Sequence, residues 1–149
     1  LLQRAVTLNA PYAQRLGVEY ELSPAVPDAT VLVDEQRMMQ VLANLMSNAA
    51  KFSPPDRPVT VGAARTAGRV RISVADHGPG IPEAFRARMF EKFAQADGSN
   101  TRARGGTGLG LAISKALVDG MGGQLGFDTE TGVGTRFWVD LPVQNDISL

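Results

Sequence analysis

Cysteine is absent from this chain and histidine occurs once, at position 77. The first absence excludes disulfides, thiolate metal sites and a cysteine nucleophile, and it fits a cytosolic domain. A single histidine leaves no second imidazole for a metal site. Net charge is missing as well: 15 basic residues balance 15 acidic ones. No whole-chain field therefore draws the protein to nucleic acid or to an anionic membrane, and any phosphate binding has to be local. No apolar stretch approaches the roughly 18 residues of a membrane span, and no basic-then-apolar leader opens the chain. What is present suits one folded domain, residues 1–149, with 44% hydrophobic and 20% charged residues, enough to bury roughly 70% of the unfolded surface around one core. The chain opens at Leu1 on a helical pattern, which reads as a domain cut from a longer polypeptide whose parent could be membrane-anchored.

Apolar residues at Leu1, Ala5, Leu8 and Tyr12 predict a short helix over residues 1–16, broken by Pro11 and closed by Gly17. Residues 18–22 and 30–33 read as short strands separated by the turn residues Pro24, Pro27 and Asp28. A long amphipathic helix is expected from a cap at Asp34 to about Phe52, stopped by Ser53-Pro54-Pro55. Residues 59–64 and 69–75 alternate with period two around Thr66-Ala67-Gly68, the pattern of an antiparallel hairpin. Pro82 opens a short helix to about Phe93, and residues 94–107 form a polar, glycine-containing loop of a length that usually serves function or stays disordered. A second long helix follows over residues 109–121. Residues 124–129 and 136–141, joined by Gly132 and Gly134, make another hairpin. Strands clustered with helices in this order predict an α+β sandwich with helices on one sheet face, rather than a doubly wound sheet.

Three elements could carry chemistry. On the long helix, Met38, Leu42, Leu45, Ala49 and Phe52 share an apolar stripe, while Arg37, Asn44, Asn48 and Lys51 look the other way. A carboxamide oxygen can ligate Mg²⁺ and a lysine can hold a phosphate, although a solvated helix face would show the same residues. Next, Asp76-His77-Gly78-Pro79-Gly80-Ile81 stands where the strand through Val70, Ile72 and Val74 ends. Its aspartate could accept from an exocyclic amine such as that of adenine, or simply cap the turn. His77 invites a reading as phosphoacceptor or general base, but it sits inside a Gly-Pro turn and not on an exposed helix, and that reading is rejected. Last, Gly105-Gly106-Thr107-Gly108-Leu109-Gly110 leads into a helix whose positive end suits phosphate. It is neither a P-loop nor a dinucleotide fingerprint, because no Gly-Lys-Ser or Gly-Lys-Thr follows and no strand precedes it. Gly132 and Gly134 read as hairpin turn residues rather than ligand contacts.

Taken together and in order, these pieces resemble the N box, the first glycine box, the F box (Phe90-Glu91-Lys92-Phe93) and the second glycine box of the histidine kinase catalytic domain, a member of the Bergerat or GHKL ATPase superfamily. The match covers residues 34–141. The resemblance implies a two-layer α/β sandwich with a mixed, mostly antiparallel sheet, in which ATP lies between the helices and a lid formed by residues 94–107. It also implies site roles. Asn48 would ligate Mg²⁺ with Asn44 beside it, Lys51 would touch the phosphates, and these three would form the catalytic set. Phe52 would border the purine, unless its place on the apolar stripe makes it a core residue. Asp76 would read the adenine amine, and Gly78 and Gly80 would admit the ring next to Ile81. Gly106, Thr107, Gly108, Leu109 and Gly110 would wrap the phosphates, with Phe93 and Thr135 completing the nucleotide site and Phe90 and Phe93 anchoring the lid.

ATP-hydrolysing branches of the superfamily place a glutamate four residues before the Mg²⁺ asparagine, where it acts as a base toward water. Here that position is Asn44. The resemblance thus implies a kinase that donates the γ-phosphate of Mg-ATP to a histidine on a separate dimerisation domain of the same parent protein, a partner expected outside these residues, with a response regulator served indirectly. A nucleotide-binding regulatory module without phosphotransfer is the alternative, and an ATP-hydrolysing clamp is disfavoured by Asn44. The expected setting is cytoplasmic, with a monomeric isolated domain and no contact to nucleic acid or membrane.

Overall fold

A cap and a proline pair bound the longest helix. In the computed structural model, which describes residues 1–92 and 109–144, the Arg37 N–H donates to Asp34 Oδ1 at 3.1 Å and α2 runs Glu35–Phe52, ending where Ser53 turns extended before the prolines. Its buried side chains are Met38, Val41, Leu42, Leu45, Met46, Ala49 and Ala50. This stripe is wider than the one read from the sequence, because α2 is covered on several sides: by the sheet, by α1 (Leu2–Arg15) and by α4 (Gly110–Gly120). Phe52 is not part of that core, being 38% exposed.

The remaining elements are β1 (Tyr20–Leu22), β2 (Val59–Thr66), β3 (Arg69–Ala75), α3 (Glu83–Arg86), β4 (Gln124–Glu130) and β5 (Gly134–Pro142). They form a five-stranded sheet in the order β1-β2-β3-β5-β4, in which β1 is parallel to β2 and every other pair is antiparallel. Alternation dictates its faces. Val59, Val61, Val70, Ile72, Val74, Leu125, Phe137, Val139 and Leu141 are buried on the helix side, each contributing roughly 1.5–3 kcal/mol over exposure for the larger side chains. On the other side Arg71 pairs with Asp140 at 2.7 and 2.9 Å and lies 4.0 Å over the Trp138 ring. A mixed, mostly antiparallel sheet with helices on one face is the α+β sandwich expected. The Tyr20 hydroxyl donates to the Met46 carbonyl at 2.9 Å and ties the parallel edge strand to α2.

Local departures from the sequence reading have local causes. The first helix continues across Pro11: a proline in a helix interior costs about 3 kcal/mol, but Ala5 and Ala13 on either side of it are buried in the core, and that packing holds the helix. The strand expected over residues 30–33 contracts to one bridge, Val31 to Val143, three residues before the α2 cap at Asp34. The helix expected from Pro82 to about Phe93 stops at Arg86 and continues as single turns, in which Arg88 N–H donates to Phe85 O and Glu91 N–H to Arg88 O. The β2–β3 hairpin turns at Ala67 and Gly68 with φ 48° and 78°, a two-residue turn whose twist suits the flanking strands.

Candidate functional site

Asp76 follows β3 directly and is the polar centre of the site. Its Oδ1 accepts from the Gly78 N–H at 2.8 Å and the Thr135 N–H at 3.2 Å. Its Oδ2 has no partner among the described residues. One oxygen thus fixes the carboxylate and the other is left to accept. Burial pushes the Asp76 carboxyl above its ordinary range, against the pull of the two backbone amides and of nearby His77. A carboxylate held partly desolvated in this way gains from any ligand donor that reaches it.

The loop after Asp76 is clamped between the end of α2 and the β4–β5 hairpin. The His77 N–H donates to Ser53 Oγ at 3.3 Å, and the Ile81 N–H to Thr129 Oγ1 at 2.9 Å. Thr129 Oγ1 also lies 2.9 Å from Thr135 Oγ1. A Cβ on Gly78 would come within 2.7 Å of the Phe52 carbonyl, and one on Gly80, at φ 82°, within 2.6 Å of the Glu130 carbonyl. These glycines therefore make room for protein backbone, in addition to any ring their main chain admits. Gly134 is more than the turn residue its sequence context predicts: at φ 151° its missing Cβ would sit 2.1 Å from the Asp76 carbonyl, so the hairpin can reach the aspartate only because the position is glycine. Gly134→Ala is expected to cost roughly 2 kcal/mol, measured by urea denaturation, because either the loop or the hairpin must move.

The polar face of α2 divides into unlike parts. Arg37 is exposed and faces Asp34 at 3.6 Å, a salt bridge at the far end of the helix. Asn44 Nδ2 donates to the Gly110 carbonyl at 3.3 Å and to Ser114 Oγ at 3.1 Å, both on α4. Asn48, one turn later, is half-buried, and its carboxamide has no hydrogen-bond partner among the described residues. Lys51 lies half-buried in the last turn and Phe52 closes the helix. Leu109 is the N-cap residue of α4 and Gly110 its first residue. Phe90 packs on Phe127 at 5.9 Å between ring centroids, and Phe127 in turn on Phe137 at 5.8 Å, so Phe90 is anchored on the sheet. Ile81 and Thr135 are buried, Thr135 against Asp76 and Ile81 against Thr129. Phe93, Gly106, Thr107 and Gly108, with the lid expected over residues 94–107, lie outside the described residues. Sequence reasoning missed Ser53, Thr129 and Ser114. Ser114 left a trace, as a serine within the apolar run of α4.

Magnesium prefers a few oxygen ligands, keeps several waters and is often shared with substrate phosphates. No group of three or more His, Cys, Asp or Glu side chains that could hold a metal by itself exists among the described residues. The Asn48 carboxamide, without a hydrogen-bond partner among the described residues, would suit an ion that is shared with a phosphate ligand.

Fold and site together define an α+β sandwich with a partly buried carboxylate at a strand end and polar side chains on the helix beside it. Residues 33–145 match the family described as "Histidine kinase-, DNA gyrase B-, and HSP90-like ATPase", and the chain belongs to that family, as a catalytic ATPase domain of its histidine kinase branch. It is similar to the sensor histidine kinase AruS of Pseudomonas aeruginosa, 44% identical over 147 residues covering 95% of this chain and 15% of AruS. Among solved structures it resembles full-length ShkA in complex with AMPPNP, with TM-score 0.83 and 39% identity over 99% of this chain and 30% of that one. The mycobacterial sensor histidine kinase MprB superposes with TM-score 0.78 at 29% identity, covering 96% and 95% of the two chains. The chain spans between 15% and 19% of the length of the curated relatives it matches. No helix among the described residues is long and apolar enough to cross a membrane.

Proposed function

We propose that this chain binds Mg-ATP between α2, the Asp76 loop and the start of α4, and donates the γ-phosphate to a histidine carried on a dimerisation domain of the same parent protein. The observation that carries this reading is Asp76, with Oδ1 saturated by two backbone amides and Oδ2 left to accept. Adenine offers a donor there through its exocyclic amine, and a buried carboxylate discriminates well because leaving it unpaired is costly. Thr135 and Ile81 line the purine end, with Phe52 at its border, and the backbone at Gly78 and Gly80 faces the ring.

At the phosphate end Asn48 would hold Mg²⁺ through its carboxamide oxygen, with Lys51 beside the phosphates and the residues 106–110 wrapping them at the N-terminus of α4. When bound, the ion would supply charge neutralisation at the phosphates. The acceptor imidazole nitrogen attacks the γ-phosphorus, a new N–P bond forms, the bond to the β-phosphate bridging oxygen breaks, and ADP leaves. The protein's contribution is alignment and electrostatics. Asn44 supports transfer over hydrolysis, since a carboxamide cannot take a proton from water as a carboxylate does. In the parent protein the phosphate would pass onward to a response regulator.

Calorimetric titration of this chain with a β,γ-imido ATP analogue, with and without Mg²⁺, is the direct test. The expected result is binding that tightens with Mg²⁺, followed by formation of an acid-labile phosphohistidine when ATP and the parent's dimerisation domain are supplied. Absence of binding in both conditions would overturn the reading.

A further inference from the structure

Resting on the nucleotide site just described, we propose that Ser114 is a positioning residue: with the Gly110 carbonyl it holds the Asn44 carboxamide so that its oxygen, not its nitrogen, faces the phosphate end of the cleft. The orientation of a carboxamide is ordinarily a matter of inference, because its oxygen and nitrogen are nearly the same size. Here chemistry settles it. A backbone carbonyl can only accept, so the Asn44 atom 3.3 Å from Gly110 O is the NH₂ group. Its second proton goes to Ser114 Oγ at 3.1 Å. Both donors of Asn44 are then spent on α4, and only Oδ1 is left for the cleft.

Ser114 is fully buried, at 0% exposure, within a helix that also buries Val118. A buried hydroxyl needs a partner, and Asn44 is the one it has among the described residues. The pair joins the helix bearing Asn48 to the first residues of the helix that follows the second glycine box. A Cβ on Gly110 would meet the Asn44 carboxamide at 3.7 Å, an ordinary contact, so glycine is not required there for α4 to come within hydrogen-bond reach of Asn44. A carboxylate at position 44 would place an acceptor against the Gly110 carbonyl, which this arrangement opposes.

An oxygen fixed one helical turn before Asn48 is an acceptor suited to a water carried on the Mg²⁺ ion. Ser114 thus acts through Asn44 on the metal-dependent part of binding and leaves the purine end alone.

The test is a double-mutant cycle on the 149-residue chain, reading the gain in affinity for the β,γ-imido ATP analogue on adding Mg²⁺. Ser114→Ala is expected to shrink that gain about 5-fold, the worth of one neutral hydrogen bond, with Mg²⁺-free affinity nearly unchanged. Ser114→Thr, which keeps the hydroxyl, should restore it. In an Asn44→Ala background Ser114→Ala should have no further effect. An equal loss in both backgrounds, or no loss in the wild-type background, would overturn the proposal. Should Ser114→Ala fail to fold, nuclear magnetic resonance of the wild-type Asn44 side-chain amide replaces it: slow exchange of both protons supports the arrangement, and fast exchange of either overturns it. If the wild-type chain binds no nucleotide at all, the site itself is wrong and this inference falls with it, whereas normal Mg²⁺-dependent binding with an additive cycle removes the Ser114 role alone.

Discussion

Asp76→Asn is expected to weaken binding of adenine nucleotides by about 100-fold or more while the fold stays intact. Asparagine keeps an oxygen for the Gly78 and Thr135 amides that Asp76 Oδ1 now accepts, so the loop keeps its shape. What changes is the other atom, which becomes a donor facing the donor of the adenine amine. Losing a hydrogen bond to a charged group costs about 1.5–3 kcal/mol, and opposed donors add to that, which gives the expected factor. Titration calorimetry measures it, and near-wild-type affinity would remove Asp76 from the site.

The same variant carries a pH signature of known sign. Burial raises the Asp76 carboxyl in the folded chain, so the protein is favoured where this group is protonated. That contribution is fully present below the ordinary carboxylate value of about 4 and is lost as pH rises through the raised folded value. At neutral pH the wild type bears the cost of an ionised, partly buried carboxylate, and Asp76→Asn does not. The variant should therefore unfold at higher urea than the wild type at about pH 7, with the advantage fading toward about pH 4. A constant difference across that window would assign the effect to something other than ionisation.

Asn48→Ala is expected to abolish the tightening of nucleotide binding by Mg²⁺ and to lower phosphotransfer at least about 100-fold, since a misplaced ion forfeits several kcal/mol of charge stabilisation. Asn48 is half-buried with its carboxamide unspent among the described residues, so its removal breaks no structural hydrogen bond and stability should hardly change. Asn48→Asp keeps an oxygen ligand and should retain the Mg²⁺ response. Calorimetry with and without Mg²⁺ checks the first part, and phosphohistidine formation in the parent kinase the second. An unchanged Mg²⁺ response in Asn48→Ala would move the metal to another residue.

These two residues were legible in the sequence for different reasons. Asp76 stands where a period-two strand ends in a Gly-Pro-Gly turn, and Asn48 on the polar side of a helix whose period could be counted. Local patterns of this kind survive folding because they follow from backbone geometry. Asn44 was legible by position and not by bonding. Its partners lie 66 and 70 residues away on α4, and no local pattern registers a hydrogen bond between helices so distant in sequence. Phe52 shows the reverse case, since its phase on α2 matches the core stripe while the fold leaves it 38% exposed at the helix end. Pro11 predicts a break, and burial of Ala5 and Ala13 overrides it.

The sequence by itself determined the order and type of the long elements, the α+β class, the absence of disulfide and thiolate chemistry, and the family boxes, because each depends on composition or on spacing within one element. Only the tertiary structure decided which oxygen of Asp76 is without a partner among the described residues, that Gly134 lets a hairpin touch that aspartate, and that Asn44 is held by α4 while Asn48 has no partner among those residues. Those are contacts between elements far apart in the chain. Their energies arise only when packing brings the partners within hydrogen-bond reach.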